Sequence, residues 1–267
     1  MTGMMAGKAG LIVGVANQRS IAWGIAQTLR NQGATIGLTY ANPQIEKQLR
    51  GLAPRLGVEF LAPCDVRDDD QVKAACDAFA ERHGGIDFIV HAVAFAPGDE
   101  LANGFINTSR AAFELTMDVS AYSLVSLCRH ARPHFKPGAG VLSLSYLGSE
   151  RVCVGYNLMG VAKAALESAA RYLAADLGAD GVRVNVISAG PVRTLAALGL
   201  PNFREMLEKR ASQSPLPYNV SLEDIGNSAL FLLSDMSRST TGSVVWVDAG
   251  YNIMGSWSEA DARAGAA

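Results

Sequence analysis

GLIVGVANQRSIAWG, residues 10–24, contains an apolar strand, a tight turn and the start of a helix. Gly14 permits the turn and a close approach of the backbone, while Ser20 can cap the helix and donate its hydroxyl to a phosphate. Exposed amides at a helix N-terminus suit a pyrophosphate, so the stretch predicts a dinucleotide site. Gly24, one turn into the helix, is expected to let helix and strand pack closely. The pattern is not GxGxxG, and an ordinary β-α turn with a serine cap is the alternative.

Strand-like apolar runs alternate with segments of helical period along the chain, which is the pattern of β-α units around a parallel sheet. The predicted strands are residues 10–15, 35–40, 58–63, 88–93, 140–146, 182–188 and 244–248. The predicted helices are residues 20–32, 43–56, 69–83, 109–134, 156–177 and 222–234. Together they predict an α/β fold, a single-domain Rossmann-type doubly wound parallel sheet of about seven strands with helices on both faces.

The composition is that of a globular domain: 267 residues, 49% hydrophobic and 18% charged, with 27 glycines. The formal net charge of −2 provides no basic surplus for nucleic acid or an anionic membrane, so neither is expected as a partner. The four cysteines form no CxxC pair and are interpreted as reduced thiols of a cytosolic protein. The sequence contains neither a signal-peptide pattern nor an apolar run of roughly 18 residues, so a cytoplasmic protein is expected.

The segment at about residues 190–220 interrupts the regular alternation. It contains Pro191, Pro201, Pro215 and Pro217, which frame a short helix. An insertion of this length in a compact domain is usually functional, so we expect a substrate lid there, within a dinucleotide-binding domain of residues 1–255. The small and polar residues 256–267 are expected to form a flexible tail.

The ends of the second and third predicted strands bear on the choice of cofactor. A phosphate on the adenosine ribose would require a nearby Arg or Lys, but Ala41 follows the second strand and the first basic residue is Lys47. This favours NADH over NADPH, although the usual ribose-binding acid is missing too. Asp65, beside Val66, is suited to accept a hydrogen bond from the adenine amino group, with a turn aspartate at the next helix as the alternative. The three aspartates 68–70 complement a helix N-terminus, and no metal site is expected.

Tyr156 and Lys163 are seven residues apart in a predicted helix. That is about 700° of rotation and roughly 10 Å of rise, so the two side chains share one face. A nicotinamide ribose could lie against the lysine while the tyrosine reaches a substrate oxygen. Taken singly, a helical tyrosine is more often a core aromatic and a helical lysine is usually solvated. The joint arrangement favours a catalytic function.

The chain resembles the short-chain dehydrogenase/reductase superfamily and, within it, the enoyl-acyl-carrier-protein reductases of type II fatty-acid synthesis, from about residue 10 to residue 254. The segments that carry the resemblance are Gly14-x5-Ser20-Ile21-Ala22-x-Gly24, HAVAFAP at 91–97, Tyr146-x9-Tyr156-x6-Lys163 and SAGPVRT at 188–194. Common ketone- and alcohol-reducing members carry a tyrosine four residues before the lysine and a serine thirteen before that tyrosine. Those positions hold Met159 and Tyr146 here, which disfavours an ordinary alcohol dehydrogenase.

The resemblance implies hydride transfer from NADH to the β-carbon of a trans-2-enoyl thioester carried by an acyl carrier protein. Negative charge then builds on the thioester oxygen, and Tyr156 is the implied donor that stabilises it. Lys163 would hold the ribose hydroxyls, and Tyr146 would shape the acyl site. Relatives assemble as homotetramers through the helices that bear the active site and through the last strand.

The resemblance also implies two sets of contacts. The expected cofactor contacts are Gly14, Ser20, Ile21, Ala41, Asp65, Val66, Val93, Lys163, Val192, Thr194 and Ala196. The expected substrate contacts are Ala96, Tyr146, Tyr156, Met159, Phe203 and Met206. His91 is interpreted as a packing residue.

The lid departs from the pattern of related reductases, which often carry basic residues for an acidic carrier protein. Around its short helix this lid contains Pro201 and Glu205, and the basic residues that remain there are Arg204, Lys209 and Arg210. We hypothesise that Arg204 and its neighbours form the patch that docks the carrier protein. The apolar spacing of Phe203, Met206 and Leu207 suits either a cover for a fatty chain or a core-facing stripe. A CoA-linked substrate is conceivable. The rival functions are a carbonyl or sugar-alcohol reductase of the same superfamily and a non-catalytic dinucleotide-sensing protein.

Overall fold

Seven parallel strands form one sheet in the order β3-β2-β1-β4-β5-β6-β7. The computed structural model describes residues 3–192 and 203–255, with only the backbone for residues 203–206. The strands are β1 Ala9–Val13, β2 Thr35–Tyr40, β3 Phe60–Pro63, β4 Ile86–His91, β5 Phe135–Ser145, β6 Arg183–Ala189 and β7 Val244–Val247. The predicted parallel sheet is confirmed, and its boundaries lie within a few residues of the predicted ones except that β5 begins earlier, at Phe135.

Helices connect successive strands and cover both faces of the sheet. Those in the described part of the chain are α1 Ile21–Asn31, α2 Pro43–Leu52, α3 Asp69–His83, α4 Gly98–Ala102, α5 Arg110–Met117, α6 Ser123–Ala131, α7 Asn157–Gly178, α8 Phe203–Gln213 and α9 Leu222–Leu233. The helix expected inside the lid segment is α8. The short α4 was not predicted. Thr194 and Ala196 lie outside the described residues, as does the tail of residues 256–267.

The two faces of the sheet are covered by separate hydrophobic clusters. Successive residues of β1 point to opposite faces, so Leu11 packs with α3, α6 and α7 while Ile12 packs with α1 and α9. Both side chains are fully buried. A strand that is buried on both faces is a continuous apolar run, which explains why β1 was recognisable in the sequence.

The predicted helix over residues 109–134 is helical from Arg110 to His134, but it is not one regular α-helix. α5 and α6 are separated by a π-helical segment, Asp118–Tyr122, and α6 is followed by a 3₁₀ turn. Within that segment the buried Ser120 hydroxyl accepts a hydrogen bond from the Phe95 N–H at 2.9 Å and donates one to the Phe95 carbonyl at 3.0 Å. These bonds to the loop after β4 are long-range in sequence, so hydrophobic periodicity does not reveal them.

Gly24 has a different neighbour from the one expected. A Cβ atom at this position would lie 2.8 Å from Cβ of Leu222, at the start of α9. A Cβ at Gly226 of α9 would in turn lie 2.2 Å from Oγ1 of Thr28 in α1. The two glycines therefore permit the close crossing of α1 and α9, and the predicted packing of Gly24 against the strand is wrong.

Among the helices of the described residues, none combines the length and the apolar character that crossing a bilayer requires. All four cysteines are described and are free thiols, as predicted.

Candidate active site

The site lies along the edge where the carboxyl ends of the strands meet. In the sheet, β1 lies between β2 and β4. Strands β2 and β3 extend the sheet to one side of β1, and strands β4 to β7 extend it to the other side, so the switch point lies between β1 and β4. Such a switch point opens a crevice at the carboxyl ends of the strands, where ligands of doubly wound sheets bind. The segments after β1, β4, β5 and β6 all reach this edge.

Gly14 forms a tight turn at the mouth of this crevice. Its φ is +103°, and a Cβ atom would lie 2.3 Å from the carbonyl oxygen of Ala92, which follows β4. Ser20 caps α1, because its hydroxyl accepts from the Trp23 N–H at 3.2 Å and donates to the Asn17 carbonyl at 2.8 Å. Its hydroxyl must rotate away from Asn17 before it can donate to a phosphate. Ile21 is half-buried directly after the cap.

The segments after β2 and β3 contain the residues that were expected to contact the adenosine. Ala41 is exposed, and the next residue, Asn42, caps α2 through its side chain. Asp65 is paired with Arg67 through Oδ2 and Nη2 at 2.5 Å, and this hydrogen bond is the main reason why the pKa of Asp65 is lowered. Its Oδ1 accepts from the Arg67 N–H at 3.1 Å, so Asp65 is a turn aspartate, and Asp68 is the residue that caps α3.

The other expected cofactor positions lie near the same edge. Val66 is buried after β3, and Val93 is half-buried after β4. Val192 is half-buried after β6 and packs with the cluster that contains Ile12. Thr194 and Ala196, the two remaining expected cofactor contacts, lie outside the described residues.

Two tyrosines meet at the carboxyl end of β5. Tyr146 follows the strand directly and Tyr156 immediately precedes α7, and their ring centroids are 4.8 Å apart at an interplanar angle of 64°. Gly148 makes room for this pair, since a Cβ atom there would lie 2.4 Å from Cδ1 of Tyr156. Burial is the main cause that raises the pKa of Tyr156 above its usual value. The phenol is therefore protonated and available as a hydrogen-bond donor at neutral pH.

Arg210 of α8 reaches into this site. Its Nη2 donates to the Tyr146 hydroxyl at 3.2 Å, and its Cζ lies 3.7 Å above the centroid of the Tyr251 ring. The half-buried Cys153 thiol is a near neighbour of the Tyr146 hydroxyl. Burial raises the pKa of Tyr146, and the nearby Arg210 charge opposes that rise. Arg210, one of the basic residues that remain in the lid, therefore points into the site, and its sequence separation from Tyr146 explains why local patterns did not reveal the contact.

Lys163 is a buried ammonium on the strand-facing side of α7. Its side chain is 6% exposed, and Nζ donates to the carbonyl oxygen of Leu144 in β5 at 2.8 Å. Burial lowers the pKa of Lys163 to about 8, while the charge of Glu167 acts in the opposite direction. Tyr156 precedes the first residue of α7, and Asn157, which separates it from the regular helix, has a φ of +36°, so the shared face of Tyr156 and Lys163 stays a prediction.

His91, at the end of β4, is a packing residue, as predicted. The ring is fully buried, with Nδ1 2.9 Å from the Ser143 hydroxyl and Nε2 2.8 Å from the Ser123 hydroxyl. Burial lowers its pKa to about 3, so the imidazole is neutral.

The expected substrate positions are only partly described. Ala96 is half-buried in the loop after β4, and Met159 is buried in the first turn of α7. For Phe203 and Met206 the structure describes only the backbone, so their side chains are not among the described groups. Leu207 is 2% exposed, which favours a core-facing role for that member of the apolar stripe.

Asn157 is a site residue that sequence reasoning missed. It is the first residue of α7, has φ of +36°, and donates from Nδ2 to the carbonyl oxygen of Leu101 in α4 at 2.7 Å. The bond ties α4 to the residue next to Tyr156. Asparagine tolerates positive φ better than most residues, but that property alone does not single out one position in the sequence.

Residues 14–252 match the family described as Enoyl-(Acyl carrier protein) reductase. The chain belongs to this family. Family membership agrees with the sequence, in which Met159 and Tyr146 occupy the positions where ketone-reducing relatives carry tyrosine and serine. No observation supports the alternative of a carbonyl reductase.

Members of the enoyl-(acyl carrier protein) reductase family from several bacteria are similar over almost their whole length. An enoyl-[acyl-carrier-protein] reductase [NADH] of Rhizobium meliloti is 49% identical over 95% of this chain and 94% of its own. The Anaplasma phagocytophilum reductase, solved in complex with NAD, has a TM-score of 0.93 and 46% identity over 97% of this chain and 98% of its own. The Bacillus cereus reductase, solved with NADP+ and an indole naphthyridinone, has a TM-score of 0.93 and 44% identity over 95% of this chain and 100% of its own.

Proposed function

We propose that the protein is an NADH-dependent enoyl-acyl-carrier-protein reductase of type II fatty-acid synthesis, an oxidoreductase that acts on a carbon–carbon double bond. The observation that carries the proposal is the group formed by Tyr146, Tyr156 and Lys163 at the carboxyl end of β5, beside the switch point of the sheet. A protonated phenol directly before α7 and a buried ammonium on that helix are the two donors that the reaction requires.

The crevice fits a dinucleotide. Gly14 brings two strand ends so close that a Cβ would fill the space, and the capped N-terminus of α1 faces the same edge. Ala41 and Asn42 leave the end of β2 without a cation for an adenosine phosphate, which supports NADH over NADPH. When bound, NADH supplies the hydride that the β-carbon of the enoyl thioester receives.

Tyr156 is the proposed donor to the substrate. Hydride addition at the β-carbon moves negative charge onto the thioester oxygen, and a preorganised O–H donor stabilises that charge most where water is excluded. The raised pKa of Tyr156 keeps its proton in place, so the phenol acts by hydrogen bonding. The edge-on Tyr146 ring and the small Gly148 fix the direction of the phenol.

Lys163 is the proposed ribose ligand. An ammonium has three N–H donors, of which the Leu144 carbonyl takes one, so two remain for the ribose hydroxyls. The bond to Leu144 fixes the direction in which these donors point. Tyr146, with its hydroxyl held by Arg210, is the proposed wall of the acyl site.

An acyl carrier protein is the proposed partner that delivers the substrate. Lys209, which is exposed on α8, and Arg204 are the proposed docking residues. If reversing both charges leaves turnover of a carrier-linked substrate unchanged while crotonyl-CoA turnover is also unchanged, this docking patch is refuted. The assembly is proposed to be a cytoplasmic homotetramer, which is consistent with the exposed Phe113 and Tyr172 on α5 and α7 and with the partly exposed β7 at the sheet edge.

The deciding experiment is the loss of absorbance at 340 nm with crotonyl-CoA, run separately with NADH and with NADPH. We expect turnover with NADH and weaker turnover with NADPH. Reduction of ketones in the absence of any crotonyl-CoA turnover would overturn the proposal in favour of a carbonyl reductase, and tight NADH binding without turnover of either substrate would indicate a sensing protein.

A further inference from the structure

Glu167 is a buried carboxylate for which the proposed mechanism has no role. It lies on α7, its side chain belongs to the face that packs against the sheet, and it is 5% exposed. Acidic side chains are rarely buried to this degree without a partner of opposite charge or a set of hydrogen bonds. Lys163 is four residues earlier on the same helix, so the two side chains are neighbours on one face.

The end of β5 holds both groups. The Ser145 hydroxyl, itself 6% exposed, donates to Oε1 of Glu167 at 2.5 Å. The carbonyl oxygen of the preceding residue, Leu144, accepts from Nζ of Lys163 at 2.8 Å. Two adjacent residues of β5, Leu144 and Ser145, therefore hold the Lys163 ammonium and the Glu167 carboxylate on successive turns of α7.

We propose that Glu167 is a positioning residue that keeps the Lys163 ammonium charged at the pH at which the enzyme binds its cofactor. The inference rests on the proposed function for the role of Lys163 but concerns the charge of the free protein. An ammonium removed from water loses its hydration, and without a neighbouring negative charge it tends to release its proton. The Glu167 carboxylate supplies that negative charge inside the protein, where solvent screens it weakly.

Among the described residues, Glu167 is the acidic group whose charge acts on Lys163, and the other groups that interact with Lys163 or Glu167 carry no negative charge. From β4, His91 is fully buried and neutral, because burial lowers its pKa to about 3. From β5, Ser145 and the Leu144 carbonyl are uncharged. The pKa of Lys163, lowered by burial to about 8, is the balance between that burial and the opposing charge of Glu167.

A purely structural role for Glu167 is the alternative, since its bond to Ser145 also joins α7 to β5. Glu167→Gln separates the two roles, because the amide keeps the shape and an oxygen acceptor for the Ser145 hydroxyl but removes the charge. Ser145→Ala is the matched control, because it removes the bond and leaves the carboxylate.

The test follows the titration of Lys163 in the cofactor-free protein by NMR of the lysine ¹³Cε atoms. The chain has six lysines, and the signal of Lys163 is identified by its loss in Lys163→Met. In Glu167→Gln we expect the midpoint to move to lower pH by about one pH unit or more. In Ser145→Ala it should remain closer to that of the wild type. An unchanged midpoint in Glu167→Gln would overturn the proposal and leave Glu167 as a structural residue.

Two further measurements complete the test. NADH affinity, followed by fluorescence, should be near wild type in Glu167→Gln at pH 6 and at least several-fold weaker at pH 8. If Glu167→Gln does not fold, the ¹³Cδ signal of Glu167 in the wild-type protein reports whether its carboxyl is ionised. A carboxyl that is protonated at pH 7 would overturn the proposal, because it carries no charge to act on Lys163. These readouts do not involve turnover, so an inactive enzyme with a shifted Lys163 titration would refute the proposed function and leave this inference standing.

Discussion

An alanine at Gly148 would place a methyl group against the ring of Tyr156. The added Cβ would lie 2.4 Å from Cδ1 and 2.9 Å from Cε1 of that ring. Carbon atoms in contact are about 3.5–4.0 Å apart, so the ring must withdraw by about 1 Å. It cannot do so freely, because the Tyr146 ring is 4.8 Å away between centroids.

The substitution is expected to affect both stability and catalysis, by free energies of similar size. Overpacking of this kind destabilises a protein by about 1–3 kcal/mol, which lowers Tm by roughly 2–4 °C for each kcal/mol in a chain of this size. A displacement of about 1 Å in a catalytic group can lower the rate roughly 100-fold, which corresponds to about 2.7 kcal/mol of transition-state stabilisation. We therefore expect kcat/KM for crotonyl-CoA to fall roughly 100-fold.

The assay is steady-state oxidation of NADH at 340 nm, accompanied by a thermal melt and an NADH titration. NADH affinity should change little, since the cradle at Gly14 and the ammonium of Lys163 are not displaced. Gly51→Ala is the matched control, because a Cβ there has no heavy atom within 4 Å and α2 tolerates alanine. A folded Gly148→Ala enzyme with kcat/KM within twofold of the wild type would refute the argument that the Tyr156 position limits the rate.

Three further predictions concern single groups of the site. Tyr156→Phe should lower kcat by roughly 100-fold or more with NADH affinity near wild type, and full activity of the variant would show that the phenol is not the donor. Lys163→Ala should weaken NADH binding. In the wild-type protein Lys163 has a pKa of about 8, so its charged form is lost as pH rises through that value. The dissociation constant for NADH should therefore increase above pH 8 and stay constant below pH 7. A dissociation constant that is flat from pH 6 to pH 10 would contradict this role. Arg210→Met should raise KM for the enoyl thioester, because the Tyr146 hydroxyl loses its donor, while NADH affinity stays the same; the opposite pattern would place Arg210 at the cofactor.

Local patterns in the sequence were sufficient to predict most of the fold. β1 is buried on both faces and forms an unbroken apolar run, and the helices show the spacing expected for packing on a sheet. The helix that carries Lys163 was predicted from the same local spacing, but the shared face of Tyr156 and Lys163 stays a prediction, because Tyr156 lies before α7 and Asn157 has a φ of +36°. These features depend on residues close to one another in the chain.

The contacts that were missed join residues far apart in the chain. Arg210 reaches Tyr146 from α8, which follows β6, and Asn157 donates to a carbonyl in α4. The π-helical segment depends on Ser120 bonding the loop after β4. Hydrophobic periodicity records only which side of an element faces the core, so it carries no information about which distant polar group a side chain meets there.

The unequal burial of the four thiols has a practical consequence. Cys64, Cys76 and Cys128 are buried, and burial raises the pKa of each to about 12, so very little thiolate forms there near neutral pH. Cys153 is half-buried and lies near the Tyr146 hydroxyl. A maleimide dye added to the native protein will therefore attach at this one position. The wild-type chain thus offers a built-in optical probe beside the two tyrosines, without any need to remove the other cysteines.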